Sequence, residues 1–364
     1  MPSRFQVTLG GVRVGGGAPV SIQSMTNTRT EDVEATLGQI RALVTAGADV
    51  VRVAVPHAAA AASLPNILAQ TPVPIVADVH FDHRLAVSAV RAGVAGVRIN
   101  PGNIGGVRAV REVVAAAREH NAVIRVGVNA GSLERELRGI EERDPAGALV
   151  ESARRNVAYL EDEGFRAIKV SVKASSPTIT IDANRRLAEA LPYPLHVGLT
   201  EAGTPRLGAV RSAVVMGVLL AEGIGDTIRV SLTGDPVEEI PVAQEILRSL
   251  GLMSGGPRLV SCPTCGRTQV DLAAMAEQVE NRLREIDEDL EIAVMGCVVN
   301  GPGEARKADY GIAGGKGEGV IFAHGRPVKK VAQERLVDEL FAMIAADVRC
   351  RRERVEEEDA NEGL

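Results

Sequence analysis

The chain has 364 residues, 45% hydrophobic and 24% charged, with a formal net charge of −6. That length admits two domains and a large core, and no apolar run reaches the roughly 18 residues of a membrane span. A negative charge with no Trp, three Tyr and five Phe argues against nucleic acid, which calls for a basic face and aromatic stacking platforms. Residues 1–11 lack a secretory signal core, so a cytoplasmic location is expected.

Short Val/Ile-rich runs at 20–26, 49–56, 74–82, 96–102, 123–131, 167–175, 195–203 and 227–235 alternate with longer amphipathic stretches. Helical patterns fall between them, for instance at 31–46, 107–120, 146–163 and 207–222. Eight strand–helix units in one series predict a (β/α)8 TIM barrel over residues 1–253, in preference to an open doubly wound sheet. Gly15-Gly16-Gly17 precedes the first run and reads as a turn, because no helix follows it directly.

Within five of the runs one basic residue stands between β-branched neighbours: Val51-Arg52-Val53, Val97-Arg98-Ile99, Ile124-Arg125-Val126, Ile168-Lys169-Val170 and Ile228-Arg229-Val230. Strand side chains alternate faces, so the Val/Ile set should face the helices and the basic set the barrel interior. The same parity turns Asn100, Gly127, Asn129, Ser171, Lys173 and Ser231 inward, together with Asp78, His80, Asp82, His196 and Thr200. Barrel interiors are ordinarily branched and apolar, and unpaired buried cations are costly. Internal ion pairs with Asp78, Asp82, Glu201 and Asp226 would account for part of this set. The remaining cations point to a diphosphate or similar anion at the strand C-termini, which suits the guanidinium fork.

Residues 251–257 read as a linker. Beyond it, 254–350 predicts a smaller α/β domain: a strand ending at the Cys262 turn, a helix over 271–286, a strand over 291–296, a hairpin whose loop is 314–319, and a helix over 333–349. Residues 351–364 are acidic and are expected to be disordered. His57, His83, His120 and His324 have no partner at ligand spacing and read as surface or capping residues.

All four cysteines lie in this second domain, three of them within one stretch: Cys262-Pro263-Thr264-Cys265, then Cys297 in Gly296-Cys297-Val298-Val299-Asn300-Gly301-Pro302-Gly303-Glu304. Three cysteines do not pair off as disulfides, and a metal centre is the better reading. Three thiolates with a weaker oxygen ligand such as Glu304 suit an iron–sulfur cluster that keeps one iron labile. A small zinc knuckle using Cys350 as the fourth ligand is the alternative.

These residues carry a family likeness. Gln23-Ser24-Met25-Thr26-Asn27-Thr28, Ala77-Asp78-Val79-His80-Phe81-Asp82, Arg98-Ile99-Asn100-Pro101-Gly102-Asn103, Gly127-Val128-Asn129-Ala130-Gly131-Ser132, Val170-Ser171-Val172-Lys173-Ala174-Ser175, Thr200-Glu201-Ala202-Gly203, Glu222-Gly223-Ile224-Gly225-Asp226-Thr227 and the 262–304 stretch together match one pattern. On them the chain resembles the bacterial two-domain form of the 4-hydroxy-3-methylbut-2-enyl diphosphate synthase family. The resemblance implies a [4Fe-4S] cluster on Cys262, Cys265, Cys297 and Glu304. It also implies reductive ring opening of a methylerythritol cyclodiphosphate, with Arg52, Arg98, Asn100, Arg125, Asn129, Lys173, Arg229 and Ser231 binding the substrate. Asp78, His80 and Glu201 then orient the substrate and deliver protons, with Glu201 as the favoured acid. A flavodoxin or ferredoxin donor is implied too, as is a head-to-tail homodimer in which one subunit's cluster domain caps the other's barrel mouth.

Two other readings fit parts of the pattern. One is a zinc-ribbon-tailed barrel aldolase or isomerase with Lys173 or Lys169 as a Schiff-base lysine. The other is a non-enzymatic iron–sulfur sensor, which would hold the cluster without turnover.

Overall fold

The computed structural model describes residues 3–283, 286, 288–297, 303 and 308–362. It divides into two compact units at Met253 and Ser254.

The first unit opens with an antiparallel hairpin, β1 (Gln6–Leu9) and β2 (Val12–Gly15). Eight parallel strands follow: β3 (Ser21–Met25), β4 (Val50–Ala54), β5 (Ile75–Asp78), β6 (Gly96–Ile99), β7 (Val123–Asn129), β8 (Ile168–Lys173), β9 (His196–Val197) and β10 (Thr227–Ile228). Their hydrogen-bonded order is β8-β7-β6-β5-β4-β3-β10-β9. The last seam is bridged where Val170 N donates to the Pro194 carbonyl oxygen at 2.9 Å, so the sheet curls into a nearly closed barrel. Helix starts follow local chemistry. Asp32 caps Val33–Thr45 by accepting from Ala35 N, and Pro145, Pro177 and Pro205 occupy first-turn positions that need no amide donor.

The alternation in the strands is as the sequence predicts. Val51, Val53, Val97, Ile99, Ile124, Val126, Val170, Val172, Ile228 and Val230 join the main core together with helix residues such as Leu37, Ile40, Leu64 and Leu149. The hairpin is an addition that strand counting does not anticipate. Its Val7, Leu9 and Val14 pack against Val50, Val76 and Val123. Each of those barrel residues stands two positions before an inward charged residue (Arg52, Asp78 or Arg125), so the hairpin lays an apolar floor beneath a polar interior.

The second unit is a five-stranded sheet ordered β11 (Arg258–Ser261), β12 (Glu291–Met295), β13 (Tyr310–Gly314), β14 (Glu318–Ala323) and β15 (Arg326–Ala332). The first three strands are parallel, and β13 to β15 form antiparallel hairpins, with Gly314–Gly319 closing the first of them. Leu272, Met275 and Val279 of helix Leu272–Leu283 meet Ile292, Ile312 and Ile321 of the sheet and Leu340 and Ile344 of helix Leu336–Glu362. That last helix runs to Glu362, through the stretch from 351 where the sequence leads one to expect a disordered tail. Arg, Glu and Ala in that stretch are good helix formers. Among the described residues no helix is long and apolar enough to cross a membrane.

Candidate active site

The register of the barrel lines up its charges. Asp78 pairs with Arg98, Arg98 with Arg125, and Arg125 with Lys169, on four consecutive strands. Arg98, Arg125, Lys169 and Lys173 are all buried. Two glycines make room: a Cβ on Gly127 of β7 would lie 2.3 Å from Arg98 Nε, and one on Gly198, just past β9, would lie 2.4 Å from the Arg229 carbonyl oxygen and 2.9 Å from Lys173 Nζ. At Gly127 a cation fills the space of a side chain, and at Gly198 backbone and cation fill it together.

Asp78 anchors the group. Arg98 Nη1 donates to Asp78 Oδ1 at 3.3 Å and to the His80 ring at 3.1 Å, while Arg52 Nε lies 3.9 Å from Asp78 Oδ2. Burial works against the Asp78 charge, but the charges of Arg52 and Arg98 and the hydrogen bond to His80 outweigh it. Its carboxyl is held well below the usual carboxylate range. Among the described residues Arg125 has one hydrogen-bond partner, Ser171 Oγ at 2.6 Å, and its Nε and Nη2 are buried without another. Burial, with the charges of Arg52 and Arg98 added, pushes Arg125 well below the usual guanidinium range. Lys173 is lowered by burial and then by Arg229 and Arg125. Lys169 is lowered to about 7 by burial, and its Nζ donates to Thr227 Oγ1 at 3.2 Å.

Six cations thus share the interior: Arg52, Arg98, Arg125, Lys169, Lys173 and Arg229. Among the described residues only Asp78 and Glu239 lie within ion-pair distance of them. Such an excess is stable only if another anion, or a shift toward the neutral form, offsets it. The amide of Asn100, both of whose polar atoms are buried without partners among the described residues, points the same way. So does His196, fully buried with neither ring nitrogen bonded to any described residue and held neutral by burial and the charge of Lys173.

The other predicted residues sit at the strand C-terminal ends. Asn129 closes β7 opposite Lys173 of β8, and His80 follows β5 with an exposed ring. Ser231 lies half-buried just past β10. Glu201 is exposed in the loop after β9 with φ +53°, a left-handed backbone rare for a side-chain-bearing residue. Asp82 departs from its expected inward position. It accepts from Arg84 N at 2.9 Å as the N-cap of helix His83–Ala92 and pairs with the Arg84 guanidinium, because β5 ends at Asp78 and its parity ends there too. His57 likewise caps Ala58–Leu68, and His83 lies 3.2 Å from Glu112.

Two contributors carry no strand signal. Glu239, the first residue of helix Glu239–Ser249, is buried beside Arg229, and Met25 Sδ accepts from Arg52 Nε and Nη2 at 3.0 and 2.8 Å. Glu239 escapes a reading of strands because it belongs to a helix. Met25 has inward parity, but a thioether is only a weak acceptor and carries no charge to mark it as a cation's partner.

In the second unit, Ser261 pairs with Val294, so Cys262 and Cys297 leave the C-terminal ends of neighbouring parallel strands. Gly296 N lies 3.3 Å from Cys262 Sγ and donates to it. Cys265 is exposed on a turn where its N donates to Thr268 Oγ1 at 3.0 Å, and the Arg267 amide and guanidinium lower its thiol pKa. Three thiols on one sheet edge, one already accepting a backbone N–H, are a donor set that fits an iron–sulfur cluster. Among the described residues no three His, Cys, Asp or Glu gather at the spacing of a single ion, and a cluster spreads its ligands farther apart than one ion does. Glu304 lies outside the described residues, and Cys350 is exposed on the last helix.

A family model of the GcpE TIM-barrel domain matches residues 4–244, and one of the GcpE protein C-terminal domain matches residues 258–346. The chain belongs to the GcpE family. Among GcpE relatives, the 4-hydroxy-3-methylbut-2-en-1-yl diphosphate synthase (flavodoxin) of Geobacter sulfurreducens is 56% identical over 339 residues, covering 93% of this chain and 96% of that protein. The enzyme of the same name from Nitratidesulfovibrio vulgaris is 57% identical over 326 residues, covering 90% of this chain and 84% of that protein. The N-acetylneuraminic acid synthetase of Leptospira borgpetersenii superposes with a TM-score of 0.51 over 77% of this chain and 97% of that one. At 13% identity it shows the fold alone.

Proposed function

We propose that this GcpE chain carries out the reductive ring opening and dehydroxylation of 2-C-methyl-D-erythritol 2,4-cyclodiphosphate to (E)-4-hydroxy-3-methylbut-2-enyl diphosphate, a step of isoprenoid biosynthesis. Two electrons and two protons enter, and the hydroxyl that is removed leaves as water. The observation that carries the reading is the barrel interior, where Arg52, Arg98, Arg125, Lys169, Lys173 and Arg229 face only Asp78 and Glu239 within pairing distance among the described residues. A cyclic diphosphate at the mouth offsets that excess.

Arg52, Arg98, Arg125, Lys173 and Arg229 bind the phosphate oxygens, and Asn100, Asn129 and Ser231 add neutral donors. Asp78 belongs to orientation and not to proton delivery. Its carboxyl is held ionised under Arg52 and Arg98, so it carries no proton to give near neutral pH. It fixes Arg98 and His80 instead. Glu201, exposed on the loop beside the mouth, is the proton donor to the leaving oxygen, with His80 as the second candidate.

Cys262, Cys265 and Cys297 hold a [4Fe-4S] cluster, with Glu304 as the weaker fourth ligand. When bound, that cluster supplies electrons and a Lewis-acidic iron. A flavodoxin or ferredoxin delivers the electrons. The cluster domain of one subunit serves the barrel of a second in a head-to-tail homodimer.

The test is anaerobic purification followed by iron and sulfide analysis and turnover of the cyclodiphosphate with a chemical reductant. About four irons and four sulfides per chain with product formation support the reading. A colourless, zinc-bearing protein sinks it, as does cluster-loaded protein without turnover.

A further inference from the structure

We infer that Glu239 is a positioning residue for the diphosphate grip, holding Arg229 and the backbone that carries Ser231 in their binding geometry. The inference rests on the diphosphate reading above.

Glu239 is 4% exposed and its carboxylate is divided among three neighbours. Oε1 accepts from Leu232 N at 3.2 Å; Oε2 accepts from Ser24 Oγ at 3.0 Å and lies 3.6 Å from Arg229 Nε. One side chain therefore ties β3 to the segment after β10, both through the Leu232 amide and through the side chain of Arg229, the first residue past the strand. Leu232 follows Ser231 directly, so the bond to its amide fixes the peptide from which Ser231 projects.

Glu239 faces the Nε edge of the guanidinium as an ion pair at 3.6 Å, and among the described residues that Nε, though buried, has no hydrogen-bond partner. Neither Nη has a hydrogen-bond partner among the described residues, and this leaves a two-pronged donor for a phosphate. A carboxylate this deep is costly unless charged and polar partners surround it, and these partners all lie on the seam that carries the ligand groups. The same charge reaches Lys173, where it opposes the lowering caused by burial and by Arg229. A side chain serving only as glue between helix and strand would need neither the charge nor the nearby guanidinium.

The experiment measures cyclodiphosphate affinity by anaerobic calorimetry on the full-length, cluster-loaded protein without reductant, so that no turnover occurs. Glu239→Gln keeps the size and the hydrogen-bonding capacity toward Leu232 N and Ser24 and removes the charge. It should raise Kd about tenfold, the size of one weakened charge-assisted hydrogen bond, while the melting temperature moves by only a few degrees. Arg229→Ala should weaken binding by about 10- to 100-fold, and adding Glu239→Gln to it should cost nothing more, because Glu239 acts through Arg229. Glu239→Asp should recover part of the affinity, and it takes the place of Glu239→Gln in the cycle if that variant does not fold. Losses that multiply in the double variant overturn the proposal. Unchanged or tighter binding in Glu239→Gln does the same, since tighter binding is the result if Glu239 merely competes with the ligand for cations. Native affinity in Arg229→Ala would instead overturn the diphosphate reading on which the proposal stands.

Discussion

Arg98 occupies the space that a side chain on Gly127 would fill. A Cβ at that position would lie 2.3 Å from Arg98 Nε, and Arg98 Nη2 donates to the Gly127 carbonyl oxygen at 3.1 Å. The glycine makes room for the cation and its carbonyl steers it. Gly127→Ala should therefore displace Arg98 and mimic Arg98→Ala. Both variants should raise KM for the cyclodiphosphate by about 10- to 100-fold, the usual effect of removing one charge-assisted hydrogen bond to a phosphate, with iron content unchanged. Native KM in Gly127→Ala would mean that Arg98 does not grip the substrate from its present position.

Leu9 tests the floor of the barrel. It is 1% exposed, it packs with Val50, Val76 and Val123, and a Cβ on Gly96 would lie 2.9 Å from its Cδ1. Leu9→Ala should lower the barrel's stability by about 2–5 kcal/mol, the usual cost of a buried Leu truncation. The reading is the denaturant midpoint of the barrel's transition. A midpoint within error of the wild type would show that the hairpin only decorates the barrel.

What the sequence makes legible follows from periodicity. Eight Val/Ile runs and an inward basic residue in five of them are strictly local patterns, and so the strands, their faces and the polar interior can be read before any packing is known. The β1–β2 hairpin cannot, because Val7, Leu9 and Val14 look like any short amphipathic pair until the barrel supplies Val50, Val76 and Val123 beneath them. Glu239 is hidden for a related reason. Its partners Ser24 and Arg229 are 215 and 10 positions away and meet it only through the β3–β10 pairing. Asp82 fails in the opposite sense, since a strand pattern extended past Asp78 claims a residue that in fact caps a helix.

Lys169 predicts a dependence of stability on pH. Its folded pKa is lowered to about 7, while an unfolded lysine titrates near about 10.4. Between those values the unfolded chain holds a proton that the folded chain has shed, so this group makes stability rise with pH across that window. Below pH 7 both states are protonated and its penalty is constant. Lys169→Met removes the titration. The ligand-free wild type should gain stability relative to Lys169→Met between pH 7 and 9, at up to about 1.4 kcal/mol per pH unit. Parallel stability curves for the two proteins would mean that Lys169 keeps its proton in the folded state, for instance through pairing with a retained anion.

The three proposed cluster thiols differ in burial, and that sets an order of reactivity. Cys297 is buried, Cys262 is half-buried with Gly296 N donating to it, and Cys265 and Cys350 are exposed. In protein stripped of iron by chelation, a thiol-alkylating reagent followed by peptide mass spectrometry should label Cys265 and Cys350 first and Cys297 last. In cluster-loaded protein Cys262, Cys265 and Cys297 should all be protected, whereas Cys350 should react as before. Cys297→Ser should purify without iron, while Glu304→Ala should retain a weakened cluster with little turnover. Because the barrel has its own core, the melting transition of its unit should be unaltered in Cys297→Ser. Protection of Cys350 alongside the other three would instead favour a four-cysteine zinc site, since a metal that holds a thiol keeps it from the reagent.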